Sequence, residues 1–230
     1  MKKHAKALLL VCTIFLIPAM PARAATTDNK TAIPPPAPVL QANANRKTAI
    51  SANEIKLRTS LRNLFLDCLK SQRSLAVKTL TNARDLPQAQ AKLTETVNKI
   101  GDIFKAYYGS STGGQITALF GQFIQATADY AASVKKDGDR AGVISGMHGK
   151  AEEIAKLFDS FNPAWTKSGL SDALNNYCAM SIKEIDMEHT SLGKPDAKIF
   201  GATFKKSAEI AEILATGIAK QFHEQFKKQK

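Results

Sequence analysis

The segment Glu-Ile-Asp-Met-Glu-His at residues 184–189 is the densest group of side chains in the sequence that could bind a metal or move a proton. In a helix, Glu184 and Glu188 would share one face, and Asp186 and His189 another. Di-iron bundles use two Glu-x-x-His motifs together with further glutamates. This chain has a single Asp-x-x-His and no second copy, so we interpret the segment as a solvated face near a helix end.

The other residues with catalytic or ligand-binding chemistry form no recognised motif. His148, His189 and His223 fall in three different predicted helices, whereas a zinc site needs three or four converging ligands at about 2 Å. The sequence has no G-x-S-x-G elbow, no P-loop and no dinucleotide fingerprint. It therefore predicts no catalytic residue, no metal ligand and no cofactor, and it makes an enzyme the least favoured class of function.

Cys68 and Cys178 are the two cysteines that follow the first 24 residues. Both occupy apolar positions of predicted helices, where cysteine usually packs as a small apolar side chain. An oxidising compartment would also permit a disulfide between them, provided that their Cα atoms lie within about 7 Å. The sequence leaves both states open.

Residues 1–24 are predicted to be a signal peptide. The start is basic (Met1–Lys6), residues 7–18 form an apolar run, and Ala22-Arg23-Ala24 has the form of a signal-peptidase site. The run is shorter than the roughly 20 apolar residues that span a bilayer. We therefore expect a periplasmic or secreted protein without a transmembrane helix after processing.

The next segment, residues 25–52, is rich in proline and polar residues and includes Pro34-Pro35-Pro36 and Pro38. Such a composition is typical of an extended spacer or of a disordered terminus rather than of a packed core. The domain boundaries predicted from the sequence are therefore a signal peptide at 1–24, a disordered linker at 25–52 and a folded domain at 53–230.

From residue 53 onward, apolar residues follow helical spacing, and the pattern recurs about every 54–56 residues. The stretch LRNLFLDCL (61–69), for example, matches ITALFGQFI (116–124) at an offset of 55. A single helical hairpin cannot bury its apolar face alone, so repeated hairpins pack against one another. We predict an all-α fold of six helices, as three repeated hairpins in one bundle. The predicted hairpins are 53–80 with 86–107, 112–136 with 140–161, and 168–190 with 196–226.

Two similar stretches, AYYGSSTGGQITALF (106–120) and SFNPAWTKSGLSDAL (160–174), mark the turns between successive hairpins. Their aromatic residues could close the end of the bundle, or could lie exposed and stack on a sugar or a partner. The candidate binding residues in these turns are Tyr107, Tyr108, Gly113, Gly114, Asn162 and Trp165.

The chain resembles an uncharacterised bacterial helical-repeat family with Bacillus-like members, some of them automatically labelled as glycosyltransferases. The likeness covers roughly residues 55–223 and depends on LRTSLRNLF in the first helix, YYG at 107–109, NPAW at 162–165 and GIAKQF at 217–222. The resemblance implies a histidine on the first helix of each hairpin. This chain has Cys68, Phe123 and Tyr177 there, so a ligand or metal held by those histidines would be lost.

The charge of the chain favours anionic partners. Removal of residues 1–24 lowers the net charge from +12 to +8. The chain ends in a basic tail that contains Lys220, Lys227, Lys228 and Lys230. We expect an exported, non-enzymatic protein that binds an anionic envelope polymer, an anionic membrane surface or a protein partner. Nucleic acid is not expected, and a small-molecule-binding or metal-binding bundle is the alternative function.

Overall fold

Five α-helices and one short 3₁₀ helix make up residues 50–191 and 196–227, the part of the chain that the computed structural model describes. The elements are α1 (Ala52–Thr81), α2 (Leu86–Lys135), α3 (Arg140–Phe161), α4 (Lys167–Thr190), α5 (Ala197–Gln221) and the 3₁₀ helix His223–Phe226. No strand occurs among these residues, and the predicted all-α bundle is confirmed. The predicted signal peptide, residues 25–49 of the predicted linker, Lys228 and Lys230 lie outside the described residues.

Four of the helices (α1, α3, α4 and α5) begin at a polar residue whose side chain caps free backbone N–H groups of the first turn. Ser51 accepts a hydrogen bond from Glu54 N at the start of α1, and Asp139 accepts one from Gly142 N at the start of α3. Asp196 caps α5 in the same way. These caps explain why the observed starts lie within one residue of the predicted ones.

Helix α2 reverses direction at Gly109, so it contains two antiparallel halves, residues 86–108 and 110–135. Gly109 has φ 81° and ψ 167°, a backbone conformation that is open only to glycine. Residues equally far from it on either side lie together: a Cβ atom on Gly101 would fall 1.7 Å from Thr117 Oγ1. Further from the turn, Gln90 Nε2 in the first half donates to Gln125 Oε1 in the second half at 2.8 Å. The second and third predicted helices are therefore these two halves.

The predicted position of this turn needs a correction. Gly113 and Gly114 are predicted as candidate binding residues of this turn, but both lie within the second half of α2. Gly113 is there because the halves approach closely: a Cβ atom at this position would lie 2.7 Å from the backbone nitrogen of Lys105. Gly109 alone supplies the reversal, because it has the positive φ angle.

Three helical segments, α1, the second half of α2, and α4, run parallel at the centre of the bundle. The rings of Phe65 and Phe120 lie 5.9 Å apart, and those of Phe123 and Tyr177 lie 6.2 Å apart. Each pair is separated by one sequence repeat, so equivalent positions of successive repeats face each other. The buried equivalent sets are Leu61, Ile116 and Leu170; Phe65, Phe120 and Leu174; Cys68, Phe123 and Tyr177; and Gln72, Thr127 and Ser181.

The other three segments lie outside this trio, and each runs antiparallel to the inner helices it contacts. The first half of α2 packs on α1 and on its own second half, α3 packs on the second half of α2 and on α4, and α5 packs on α4 and α1. The hydrogen bonds that show the antiparallel direction join Arg58 to Thr216, Ser207 to Phe65, His148 to Asn175, and Ser171 to Glu152. Within residues 50–191 and 196–227, no helix is long and apolar enough to cross a membrane.

Replacing Gly109 with alanine should destabilise the protein by about 1–3 kcal/mol, because a Cβ atom disfavours this backbone conformation. Gly114→Ala is the matched control: a Cβ atom there meets nothing within 4 Å. It should stabilise the protein by about 0.4–1 kcal/mol. Urea unfolding of the two variants and the parent measures both effects. Equal stabilities for the two variants would contradict the reversal at Gly109.

Candidate functional site

Four of the residues predicted in the binding turns meet at one end of the bundle, where they join the ends of the three hairpins. The Tyr108 hydroxyl donates to Gln221 Oε1 at 2.7 Å and accepts from Asn162 Nδ2 at 3.1 Å. Burial raises the pKa of Tyr108 to about 12. Tyr107 stacks on Phe226 of the 3₁₀ helix with ring centroids 6.1 Å apart. Gly113 and Gly114 follow the reversal, in the second half of α2, and Gly113 packs against Lys105.

Trp165, the fourth of these residues, is a core residue. Its side chain has no exposed surface, and its indole Nε1 donates to the Ile213 carbonyl at 3.0 Å. A Cβ atom on Gly217 would fall 1.8 Å from that nitrogen, so α5 carries glycine where the indole crosses it. Of the two alternatives for the aromatic residues, the structure therefore favours closure of the bundle end, and Trp165 is not available for stacking on a ligand.

The positions where the family resemblance implies histidines come together in the core. Cys68, Phe123 and Tyr177 line one internal void of about 10 Å³ between the inner helices. Cys68 and Cys178 are buried free thiols, so the disulfide left open by the sequence is not formed in this structure. Burial raises the pKa of each thiol to about 12, which keeps both protonated and unreactive at neutral pH.

About one helical turn further along the three inner helices, toward their C-terminal ends, the core becomes polar. Gln72 Nε2 donates to Thr127 Oγ1 at 2.7 Å, and Gln72 Oε1 accepts from the Tyr177 hydroxyl. Ser181 completes this layer, with its hydroxyl 3.5 Å from Gln72 Nε2. Because all three inner helices contribute one member, the layer fixes their register as well as their spacing.

A small cavity lies beside this polar layer, between α1, the second half of α2, and α4. Its volume is about 20 Å³, enough for one group the size of a water molecule. Its wall has five aliphatic residues and six polar ones. The polar ones are Gln72, Arg73, Thr127, Ser181, Glu184 and Glu188.

Two carboxylates and one guanidinium meet at this cavity. Arg73 Nε donates to Glu188 Oε1 at 2.9 Å, and Arg73 Nη2 also contacts that oxygen. The same Nε lies 3.2 Å from Glu184 Oε1, but this oxygen accepts no hydrogen bond. Glu188 Oε2 accepts none either. Both glutamates are buried, so our interpretation of residues 184–189 as a solvated face is wrong for Glu184 and Glu188.

The environment of Glu184 disfavours its charged form. Burial is the main cause of its raised pKa, and the charge of Glu188 adds to it. Arg73 and a hydrogen bond from Thr203 oppose the shift. A carboxyl group with a raised pKa binds its proton more tightly in the folded than in the unfolded state. Its contribution to stability therefore falls as the pH rises above the ordinary glutamate pKa.

The remaining members of the segment point elsewhere. Asp186 accepts a hydrogen bond from the Tyr130 hydroxyl at 2.9 Å, and His189 is exposed. His148 contacts Asn175, and His223 contacts Glu224, on separate surfaces. In the described part of the chain, no three His, Cys, Asp or Glu side chains are placed to hold a metal ion together.

The described residues carry little net charge, but their charge is uneven. They contain 22 lysines and arginines against 19 aspartates and glutamates. Three exposed lysines, Lys56, Lys220 and Lys227, lie at the end of the bundle where α1 begins and the 3₁₀ helix packs beside it. Ile50 and Ile55, 52% and 54% exposed, lie at the start of α1 and are the exposed large hydrophobic residues of the described chain. We call this surface the basic end.

Comparison of the chain with protein-family models, with curated proteins and with solved structures finds no match. The family resemblance set out from short motifs thus stays a prediction.

Sequence reasoning missed Arg73, the residue that joins the two glutamates. The sequence did contain a sign that Arg73 lies near the core: it directly follows Gln72, which occupies an inward position of the repeat. The spacing of Glu184 and Glu188 at four residues places both on one face of α4, but a single helix does not show what that face contacts.

Arg73→Met should destabilise the protein by about 3–5 kcal/mol, since it leaves two buried carboxylates without their cation. The matched control is Arg62→Met. Arg62 is 57% exposed and 3.8 Å from Glu212, so its loss should cost at most about 1 kcal/mol. Urea unfolding should show a larger deficit for Arg73→Met at pH 8 than at pH 5, because burial raises the pKa of Glu184 and its protonation relieves the repulsion. A deficit equal to that of Arg62→Met at both pH values would refute the role of Arg73.

Proposed function

We propose that this protein is exported and binds an anionic membrane surface in the cell envelope through its basic end. The observation that carries this proposal is the placement of two exposed isoleucines beside exposed lysines at one end of an otherwise polar bundle. Apolar side chains can enter the interface between headgroups and acyl chains, while lysines pair with anionic headgroups.

The geometry of this end brings distant parts of the sequence together. Phe226 is buried against Tyr107, which holds the 3₁₀ helix against the start of α1. Lys227 of the predicted basic tail therefore lies at the same end of the bundle as Lys56 of α1, although 171 residues separate them.

Two acidic groups at this end, Glu54 and Glu224, are already paired. Glu54 accepts from Arg58 at 2.7 Å, and Glu224 contacts Lys227 and His223. Lys56 and Lys220 form no ion pair with a carboxylate of residues 50–191 or 196–227. Further lysines adjoin this end in sequence, with Lys47 before α1 and Lys228 and Lys230 after Lys227. The attraction between this end and an anionic membrane should consequently be stronger than the small net charge of the described residues suggests.

Binding to vesicles that contain anionic phospholipid should be strong at low salt and should weaken as salt screens the lysines. The triple variant Lys56→Gln, Lys220→Gln, Lys227→Gln should bind roughly a hundredfold more weakly, at about 1 kcal/mol for each lysine. The control variant changes Lys136, Lys183 and Lys198, exposed lysines away from this end, and should bind like the parent. Cosedimentation with the vesicles measures the binding of the parent, the triple variant and the control variant.

The isoleucines separate a membrane surface from other anionic partners. Ile50→Ser with Ile55→Ser should weaken vesicle binding and leave binding to a soluble polyanion unchanged. Equal losses on both ligands would favour an envelope polymer, and no vesicle binding at low salt would refute the proposal.

Export is a separate prediction. The protein recovered from fractionated cells should begin at Ala25 and lie outside the cytoplasm, since residues 22–24 have the form of a cleavage site. N-terminal sequencing of the fractions measures this. Recovery of intact protein beginning at Met1 in the cytoplasm would overturn the proposed location.

A further inference from the structure

We propose that the cavity between α1, the second half of α2, and α4 binds one monovalent cationic group of ammonium size. This site is separate from the basic end and does not depend on membrane binding. It is formed by Arg73, Glu184 and Glu188, together with the polar layer of Gln72, Thr127 and Ser181.

The charge of the cluster calls for one further positive charge. Two ionised carboxylates face a single guanidinium, so the cluster carries a net charge of −1 when both glutamates are ionised. An uncompensated charge in a buried site is costly, and a monovalent cation would neutralise it. Binding would also favour the ionised form of Glu184, which burial otherwise disfavours.

The acceptors are present and directed at the cavity. The side chains of Glu184 and Glu188 are 8% and 4% exposed, and both line the cavity. One oxygen of each, Glu184 Oε1 and Glu188 Oε2, is buried and accepts no hydrogen bond. The Thr127 and Ser181 hydroxyl oxygens retain acceptor capacity as well. The ammonium ion has four N–H donors and a primary ammonium group has three, which suits such a set of oxygens.

The size of the cavity selects among cations. A volume of about 20 Å³ admits one group of about the size of water, which ammonium and potassium match. A divalent ion such as calcium takes six to eight oxygen ligands, and the Arg73 guanidinium would repel it more strongly than a monovalent ion. Tetramethylammonium is too large to enter.

The cavity also has an apolar side. Val77 and Leu80, both partly exposed, line it together with Arg73, whose side chain is 19% exposed. A short alkyl chain attached to a primary ammonium group would lie against these two side chains. The site could thus take a free cation or the head of a small protonated amine, and the two sources share the same recognition chemistry.

Thermal unfolding of the full chain tests the proposal, with ionic strength kept constant by exchange between chloride salts. Ammonium and potassium should raise the unfolding midpoint in a saturable manner, relative to lithium and tetramethylammonium. If butylammonium acts at lower concentration than ammonium, the ligand is an amine with an alkyl chain. If ammonium and potassium act alike and butylammonium does not exceed them, the site is an ion site.

Glu184→Gln should abolish the saturable rise, because it removes one negative charge while the pair of Arg73 and Glu188 is kept. Glu153→Gln is the matched control, since Glu153 is 52% exposed and pairs with Lys150 on the surface. It should respond to ammonium like the parent. Circular dichroism verifies that both variants fold. The proposal is overturned if the parent responds equally to all five cations, or if Glu184→Gln retains the full response.

Discussion

Parallel packing of three equivalent helices around one axis is the constraint on which the rest of this structure depends. Since α1, the second half of α2, and α4 are successive copies of one repeat and run in the same direction, each inward position meets its own equivalents. A polar or charged residue at one such position is therefore placed among the equivalent residues of the other repeats. The outer helices can then only fill the grooves between neighbours in the trio, which closes the bundle.

The polar layer and the cavity follow from this arrangement. Gln72, Thr127 and Ser181 are equivalent residues, and their hydrogen bonds satisfy polar groups that would otherwise destabilise the core. Glu184 and Glu188 lie close to this layer and depend on Arg73 for compensation. A hydrophobic replacement of the whole charged group would be compatible with the fold. The proposed cation would compensate the negative charge that Arg73 leaves unbalanced.

The two ends of the bundle are chemically different because of where the chain reverses. At one end, Gly109 allows a reversal without a loop, and the aromatic side chains of the three hairpin ends pack over it. The same packing holds the 3₁₀ helix beside the start of α1 and so creates the basic end. The opposite end has the polar turns between inner and outer helices. Among the described residues, the exposed large hydrophobic side chains, Ile50 and Ile55, accordingly lie beside the lysines of this one end.

The sequence by itself determined the all-α class, the period of the repeat and most helix boundaries, because periodicity and capping are local properties. It bracketed the reversal at Gly109 between residues 107 and 112, but it also counted Gly113 and Gly114 as turn residues. A glycine pair suggests a turn, whereas close helix packing also requires glycine. Only the tertiary structure decided that Trp165 is buried, that Tyr108 meets Gln221, and that Arg73 meets Glu184 and Glu188. These contacts join residues more than 40 positions apart, so they depend on the packing of whole helices.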